Sequence, residues 1–85
     1  MKFKAEVRIG LKPGVLDAEG KTVQKQLKLL GYDVDEVKTI KFYELIMNSE
    51  SLETAKDEVE DACRRLLANP VIQNYEIKFF EVENE

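Results

Sequence analysis

Asp17 and Gly20 are the first residues whose types and spacing could serve chemistry, because they open a helix-like run in the stretch "VLDAEG". An acid and a glycine at the head of a helix occur where phosphates and nucleotides bind. The same pair also fits a structural interpretation, since Asp is a favoured N-cap and its charge complements the helix dipole. We expect Val15 to Gly20 to be a turn and a capped helix start, with no bound nucleotide.

Five acids and one cysteine in the second half of the chain could also act as catalytic groups or metal ligands. The acids lie mainly opposite an apolar helical stripe, which is typical of a solvated helix face. The cysteine has no histidine anywhere in the chain to activate it, so we expect a small buried hydrophobe. These residues are Glu53, Asp57, Glu58, Glu60, Asp61 and Cys63.

Composition excludes several classes of function. Without histidine and with a single cysteine, the chain cannot build Ser-His-Asp triads, Cys-His dyads or the usual zinc sites. It contains neither of the glycine-rich motifs that cradle phosphates. We therefore expect no catalytic residues, no bound metal and no cofactor in this chain.

Size and charge set the expected class of partner. Eighty-five residues form one domain, spanning 1–85, near the lower end of what buries a self-sufficient core, so self-association or docking onto a larger protein is expected. A net charge of −4 argues against nucleic acid, and no apolar run is long enough to cross a membrane. One unpaired cysteine favours the reducing cytoplasm.

The first half of the chain predicts a strand, a turn and a helix. Residues 2–12 alternate apolar and polar side chains, which indicates a strand with one buried face. Pro13 and Gly14 fit the two central positions of a type II turn. A helix should then begin at the Asp17 cap, carry an apolar stripe and stop at Gly31 in the left-handed conformation. The stripe consists of Val23, Leu27 and Leu30.

The second half predicts one or two strands, a helix and a final strand. Residues 34–48 are strand-rich but change parity, so we expect a kink or turn near Ile40-Lys41, giving one bent strand or two short antiparallel ones. Ser49 or Ser51 should cap the second helix, and Pro70 should end it. A parity shift at Phe79-Phe80 suggests a bulge or the end of the last strand, which begins with Tyr75 and Ile77. The stripe of the second helix is Leu52, Ala55, Val59, Ala62 and Leu66.

This order of elements predicts an α+β fold. It is a small two-layer sandwich, βαβαβ or split βαββαβ, with two helices on one face of a mainly antiparallel sheet. The plan is ferredoxin-like.

Three segments together resemble PurS, the small subunit of phosphoribosylformylglycinamidine (FGAM) synthase in purine biosynthesis. They are "LKPGVLDAEG", "IKFYEL" and "LANPVIQNYEI", and they occur in the family's order over nearly the whole chain. Ala18 replaces the family's usual proline, which is helpful but not required at a first helical position. Ile40 stands where the family has glycine, and a β-branched residue resists the positive φ that a sharp glycine turn needs.

The resemblance implies a role inside a complex. It implies a PurL-like synthetase that binds ATP, magnesium and formylglycinamide ribonucleotide, and a PurQ-like glutaminase that releases ammonia. PurS-like chains form oligomers, here a dimer or a dimer of dimers, bridge the two enzymes and assist ammonia transfer without catalytic residues of their own. The surface residues of the family-like segments that we expect at subunit contacts are Lys12, Lys41, Asn69, Asn74 and Tyr75. Those that we expect to act as caps and turns are Pro13, Gly14, Asp17, Gly31 and Pro70.

Two other classes share this topology. An ACT-like regulatory module would bind a small effector at a subunit interface. A small acylphosphatase would need a phosphate-binding loop and an arginine near the first helix, and residues 10–20 contain neither.

Overall fold

The computed structural model describes residues 1–82 as a three-stranded sheet with two helices; residues 83–85 lie outside this description. The order is βαβαβ, without a split second strand. The elements are β1 (Lys2–Leu11), α1 (Ala18–Leu29), β2 (Lys41–Asn48), α2 (Leu52–Ala62) followed by a π-helical turn (Cys63–Leu67), and β3 (Gln73–Val82).

β1 is the central strand of the sheet. The strand order is β2-β1-β3, and both pairings are antiparallel. β2 and β3 are therefore parallel to each other at opposite edges, and the chain passes from one to the other through α2, which packs on β1. The predicted α+β sandwich is confirmed.

The core lies between β1 and α2. Phe3, Val7 and Ile9 are almost fully buried, as the alternating pattern predicts. Val7 and Ile9 pack in one cluster with Val59 of α2 and Cys63 of the π-helical turn. Side chains of this size contribute roughly 1.5–3 kcal/mol each when fully buried. The opposite face of β1 carries Lys4, Glu6 and Arg8, which are half-buried or exposed in the described part of the chain.

The predicted kink in the second strand is wrong. β2 is one unbroken strand whose register against β1 runs from Lys41 opposite Ile9 to Asn48 opposite Lys2. Residues 34–40 are not a strand, because their backbone is held by the first helix: the Gln24 side chain donates to the carbonyls of Val34 and Asp35. The apparent change of parity marks the boundary between this segment and β2.

The predicted bulge or strand end at Phe79-Phe80 is also wrong. β3 pairs with β1 in one register from Gln73 to Val82. Phe79 packs against the core, while Phe80 lies on the open face beneath the Lys4 ammonium group, 4.9 Å from the ring centre. These two adjacent aromatic residues therefore lie on opposite faces of the sheet.

α2 begins at Ser51, whose hydroxyl accepts a hydrogen bond from the Thr54 N–H at 3.2 Å, and not at Ser49. Its last turn differs from the prediction. The Ala68 N–H donates to the Cys63 carbonyl at 2.9 Å, a π-helical bond that rotates the following side chains. Leu66, predicted in the core stripe, is consequently 81% exposed, and Leu67 packs against the core in its place.

α1 does not lie on the sheet beside α2. Gly20 is its only buried residue, and the predicted stripe is mostly uncovered, with Val23 40% and Leu30 74% exposed. The molecule is 51 Å long, whereas a ten-residue strand spans only about 34 Å. Residues 15–40, which we call the arm, therefore project beyond one end of the sheet. None of the helices in residues 1–82 is long and apolar enough to cross a membrane.

Candidate interaction surface

Three distant segments of the chain meet at the end of the sheet from which the arm projects. Lys41, Ile9 and Tyr75 form one row across the three strands, and Asn74 lies opposite Gly10 in the next row. Beyond the strand ends, the Lys12 N–H donates to the Ile72 carbonyl at 2.9 Å. The structure thus brings the five predicted contact residues to this end, which we call the arm end.

Asn69 and Pro70 form the turn that leads into β3. The Asn69 side-chain oxygen accepts from the Val71 N–H at 3.1 Å, which is an Asx turn. The Asn69 N–H donates to the Gln73 side chain at 2.7 Å, and the Asn69 carbonyl accepts from the Ile72 and Gln73 N–H groups. Asn69 therefore has a structural role in addition to any contact that it makes with another chain.

Tyr75 is tied to α2. Its hydroxyl donates to the Glu60 carboxylate at 2.8 Å, and the Arg64 guanidinium lies 3.3 Å from the same oxygen. The hydrogen bond to Glu60 raises the pKa of Tyr75, because the carboxylate favours the protonated phenol. The aromatic ring is fixed at the arm end, half-buried beside the core.

The two lysines of the arm end differ in setting. Lys12 directly follows β1 and opens the turn of Pro13 and Gly14, in which the Val15 N–H donates to its carbonyl at 3.2 Å. Gly14 has a φ of 86°, the left-handed value that this turn requires. Lys41 is the exposed first residue of the edge strand β2.

Asp17 fastens the base of the arm. One carboxylate oxygen accepts from the Gly20 N–H at 2.8 Å and so caps α1, while the other accepts from the Thr39 N–H at 2.6 Å. These two N–H groups, that of Thr39 foremost, hold the pKa of Asp17 below its ordinary value. Asp17 thus joins both ends of the arm in addition to capping the helix.

Position 20 must be glycine because other atoms of the chain approach it closely, and not because of its backbone angles. A Cβ at this position would collide with the Val37 carbonyl and would lie 2.8 Å from an Asp17 carboxylate oxygen. The residues 32–40 that lead from α1 to β2, which we call the return segment, can lie against α1 only because position 20 has no side chain. The sequence pointed to Asp17 and Gly20 but not to Val37 and Thr39. Glycine is unfavourable in a first helical turn, so Gly20 itself was the sign that another part of the chain approaches the helix there.

The far end of the arm is closed by a helix stop at Gly31. Gly31 has a φ of 96°, its N–H donates to the Lys28 carbonyl, and the Tyr32 N–H donates to the Leu27 carbonyl at 3.0 Å. Leu29, Leu30 and Tyr32 around this stop are 61–86% exposed. The tip of the arm is an apolar surface that no other part of residues 1–82 covers.

A cleft of about 480 Å³ separates the arm base from the sheet. Its lining combines basic side chains, including Arg8, Lys12 and Lys21, with acids such as Asp17 and Asp35. This mixed charge does not favour a phosphate group. The one cysteine, Cys63, lies elsewhere, at the start of the π-helical turn that follows α2; it is fully buried, and its burial raises the pKa of the thiol.

The fold and these surfaces define a small antiparallel α+β sandwich with a projecting helical arm. Comparison with known proteins identifies its family. The family model PurS, described as phosphoribosylformylglycinamidine (FGAM) synthase, matches residues 4–81. The PurS subunit of Methanocaldococcus jannaschii is 51% identical over 82 residues, which cover 95% of this chain and 99% of that protein.

Solved structures agree in fold with this match. The crystal structure of M. jannaschii PurS has a TM-score of 0.84 over 95% of this chain and 99% of the other, at 51% identity. A structure described as PurLQS from Thermotoga maritima has a TM-score of 0.84 at 30% identity, over 94% of this chain and 99% of the other. The chain belongs to the PurS family of FGAM synthase subunits.

Proposed function

We propose that this chain is the non-catalytic small subunit of an FGAM synthase, which bridges a PurL-like synthetase and a PurQ-like glutaminase and assists ammonia transfer between them. The observation that carries the proposal is the family match over residues 4–81, together with the agreement in fold with a chain of the T. maritima assembly PurLQS. ATP and magnesium would be bound by the synthetase.

The chemistry of this chain supports a non-catalytic role. Release of ammonia from glutamine through a thioester needs an activated, accessible thiolate. The only thiol here is Cys63, which is fully buried, has a raised pKa and has no histidine to activate it. We therefore expect no glutaminase activity from the isolated chain.

The shape of the chain supports self-association. Its accessible surface is 6601 Å², whereas a compact monomer of 9.8 kDa exposes about 5,200 Å². Its radius of gyration is 16.7 Å against about 12 Å for a compact chain of this length. The surplus of about 1,400 Å² exceeds the roughly 800 Å² per partner that a standard interface buries.

The arm end is our proposed contact surface for the other subunits. Lys12, Lys41 and Asn74 have no tertiary side-chain role among the described contacts, so replacing them should weaken assembly while leaving the fold intact. Asn69 and Tyr75 also hold the turn and α2, so their replacement should affect both properties. Tyr75→Phe removes one hydrogen bond and keeps the ring.

Reconstitution tests the proposed function. The three proteins are combined, each is omitted in turn, and amidine formation is followed with glutamine and with ammonium chloride. Omission of this chain should abolish the glutamine-dependent reaction, and a high ammonium concentration should relax the requirement, because ammonia then reaches the synthetase from solvent. Equal rates on glutamine with and without this chain would overturn the proposal and favour an effector-binding role of the ACT-like kind.

A further inference from the structure

The cleft at the base of the arm has the size of a small-molecule site. Its volume of about 480 Å³ falls within the range of roughly 300–1,000 Å³ that is typical of such sites. Three parts of the chain line it: the end of β1 with the turn that follows, the first turns of α1, and the return segment. A ligand in the cleft would therefore contact both the sheet and the arm.

The walls of the cleft that belong to the arm are held together by the chain itself. The Asp17 carboxylate joins the start of α1 to the return segment, and the Gln24 side chain makes two further hydrogen bonds to that segment. Asp17, Lys21 and Gln24 recur at i, i+4 and i+7, so one face of α1 lines the cleft. The shape of the cleft does not depend on a ligand.

Three cationic side chains of the cleft lack a charged partner in the described part of the chain. Arg8 lies on the open face of β1, Lys12 follows β1, and Lys21 lies on α1. The ion pairs within residues 1–82 include none of the three. Arg8 is opposite Glu76 of β3 in the strand register, yet no ion pair joins these two residues. The three cations are available to an anionic ligand.

Two carboxylates accompany these cations. Asp35 also has no ion-pair partner within residues 1–82, and Asp17 is bonded to two backbone N–H groups, which do not neutralise its charge. The remaining acid of the cleft, Glu36, pairs with Lys38 at 3.5 Å. Three positive and two negative charges are therefore left, and the cleft presents both signs with an excess of one positive charge.

We propose that this cleft binds an acidic α-amino acid, for which L-glutamate is the probe. Such a ligand carries two carboxylates and one ammonium group, so its charges complement those of the cleft in sign and in number. The carboxylates would accept hydrogen bonds from the cationic side chains, and the ammonium group would donate to Asp17 or Asp35. A neutral amino acid lacks the second carboxylate, and a simple dicarboxylic acid lacks the ammonium group.

The ligand would come from the reaction of the proposed function, on which this inference rests for its source. Hydrolysis of the side-chain amide of glutamine forms one glutamate for each ammonia, so a glutaminase bound to this chain would release glutamate beside it. Arg8 belongs to the sheet and Lys21 to the arm, so a ligand that binds both would tie the arm to the sheet. Glutamate would thus act on the bridging subunit by reducing the movement of its arm.

A titration of the isolated, isotope-labelled chain followed by NMR at constant ionic strength tests binding. Sodium L-glutamate should shift the amide signals of α1 and the return segment in a saturable way, with a Kd of roughly 1 mM. L-Glutamine and glutarate should bind at least about tenfold more weakly, because each lacks one charged group. Sodium chloride is the reference salt, and glutamate should also slow hydrogen exchange in peptides from α1.

Substitutions separate the two kinds of charge. Arg8→Gln and Lys21→Gln should each weaken L-glutamate binding about tenfold. Asp35→Asn should weaken L-glutamate binding by a similar factor but should not weaken glutarate binding, because glutarate has no ammonium group. Lys25→Gln is the matched control, since Lys25 is another exposed lysine of α1 and does not line the cleft. Circular dichroism should show that all four variants remain folded.

The outcomes distinguish this inference from the bridging role. The absence of a saturable shift at about 20 mM L-glutamate would overturn the inference, as would equal affinity for L-glutamine and glutarate or equal weakening in Lys25→Gln. None of these results bears on the reconstituted reaction, because they concern the isolated chain. Saturable binding that requires Arg8, Lys21 and Asp35 would support the inference even if the reconstituted reaction proceeded without this chain.

Discussion

Replacement of Gly20 by alanine should loosen the arm, although alanine is the better helix former. In an ordinary helix interior this change gains about 1 kcal/mol. Here the new methyl group would collide with the Val37 carbonyl and approach the Asp17 carboxylate to 2.8 Å. Both are backbone or hydrogen-bonded groups, so relief requires the return segment to move away from α1.

The magnitude follows from these two opposing effects. Forcing a methyl group into a closed space costs roughly 1–3 kcal/mol, and the displacement also weakens the Thr39 bond to Asp17. We expect a net loss of about 1–2 kcal/mol, which corresponds to local opening that is about ten times more frequent.

Native-state hydrogen exchange measured by mass spectrometry reads this change directly. Peptides from α1 should exchange about ten times faster in Gly20→Ala, whereas peptides from β1 should be unchanged. Gly10→Ala is the control, because a Cβ at Gly10 meets no atom within 4 Å. Unchanged or slower exchange in α1 of Gly20→Ala would refute the close-approach argument.

Four further predictions follow from single contacts. The arm should lose stability as the pH falls below about 4, because the N–H groups of Thr39 and Gly20 bind the charged Asp17 carboxylate in the folded arm and protonation weakens these bonds. Asp17→Asn should flatten this acid dependence in hydrogen exchange. Val59→Ala should lower the free energy of unfolding by about 2 kcal/mol, whereas Leu66→Ala should change it by less than about 0.5 kcal/mol; equal losses in denaturant melts would contradict the π-helical turn. Tyr75→Phe should lower it by about 1 kcal/mol through the lost bond to Glu60, and an unchanged melt would show that solvent replaces that bond. Cys63 should resist thiol reagents in the native chain and react on unfolding, so rapid native labelling would contradict its burial.

Local sequence determined those features that depend on neighbouring residues alone. The alternation in residues 2–12 specified β1 and its buried face, because side chains of a strand point to opposite sides in turn. Asp17 sets the start of α1 and Gly31 sets its end, in both cases through hydrogen bonds that span only a few residues. The three family-like segments likewise identified the family before any contact was known.

Tertiary structure decided what depends on residues far apart in the chain. The apolar stripe of α1 predicted a buried helix face, whereas Val23 and Leu30 are exposed in the described residues, because amphipathicity does not state where in the fold a helix lies. The boundary of β2 depended on Gln24 and Asp17 holding residues 34–39 away from the sheet, bonds that cross 10 to 22 residues. Leu67 packs against the core where the periodic pattern had predicted Leu66. One π-helical hydrogen bond rotates the last turn of the helix, and a periodic pattern of apolar residues does not reveal that rotation.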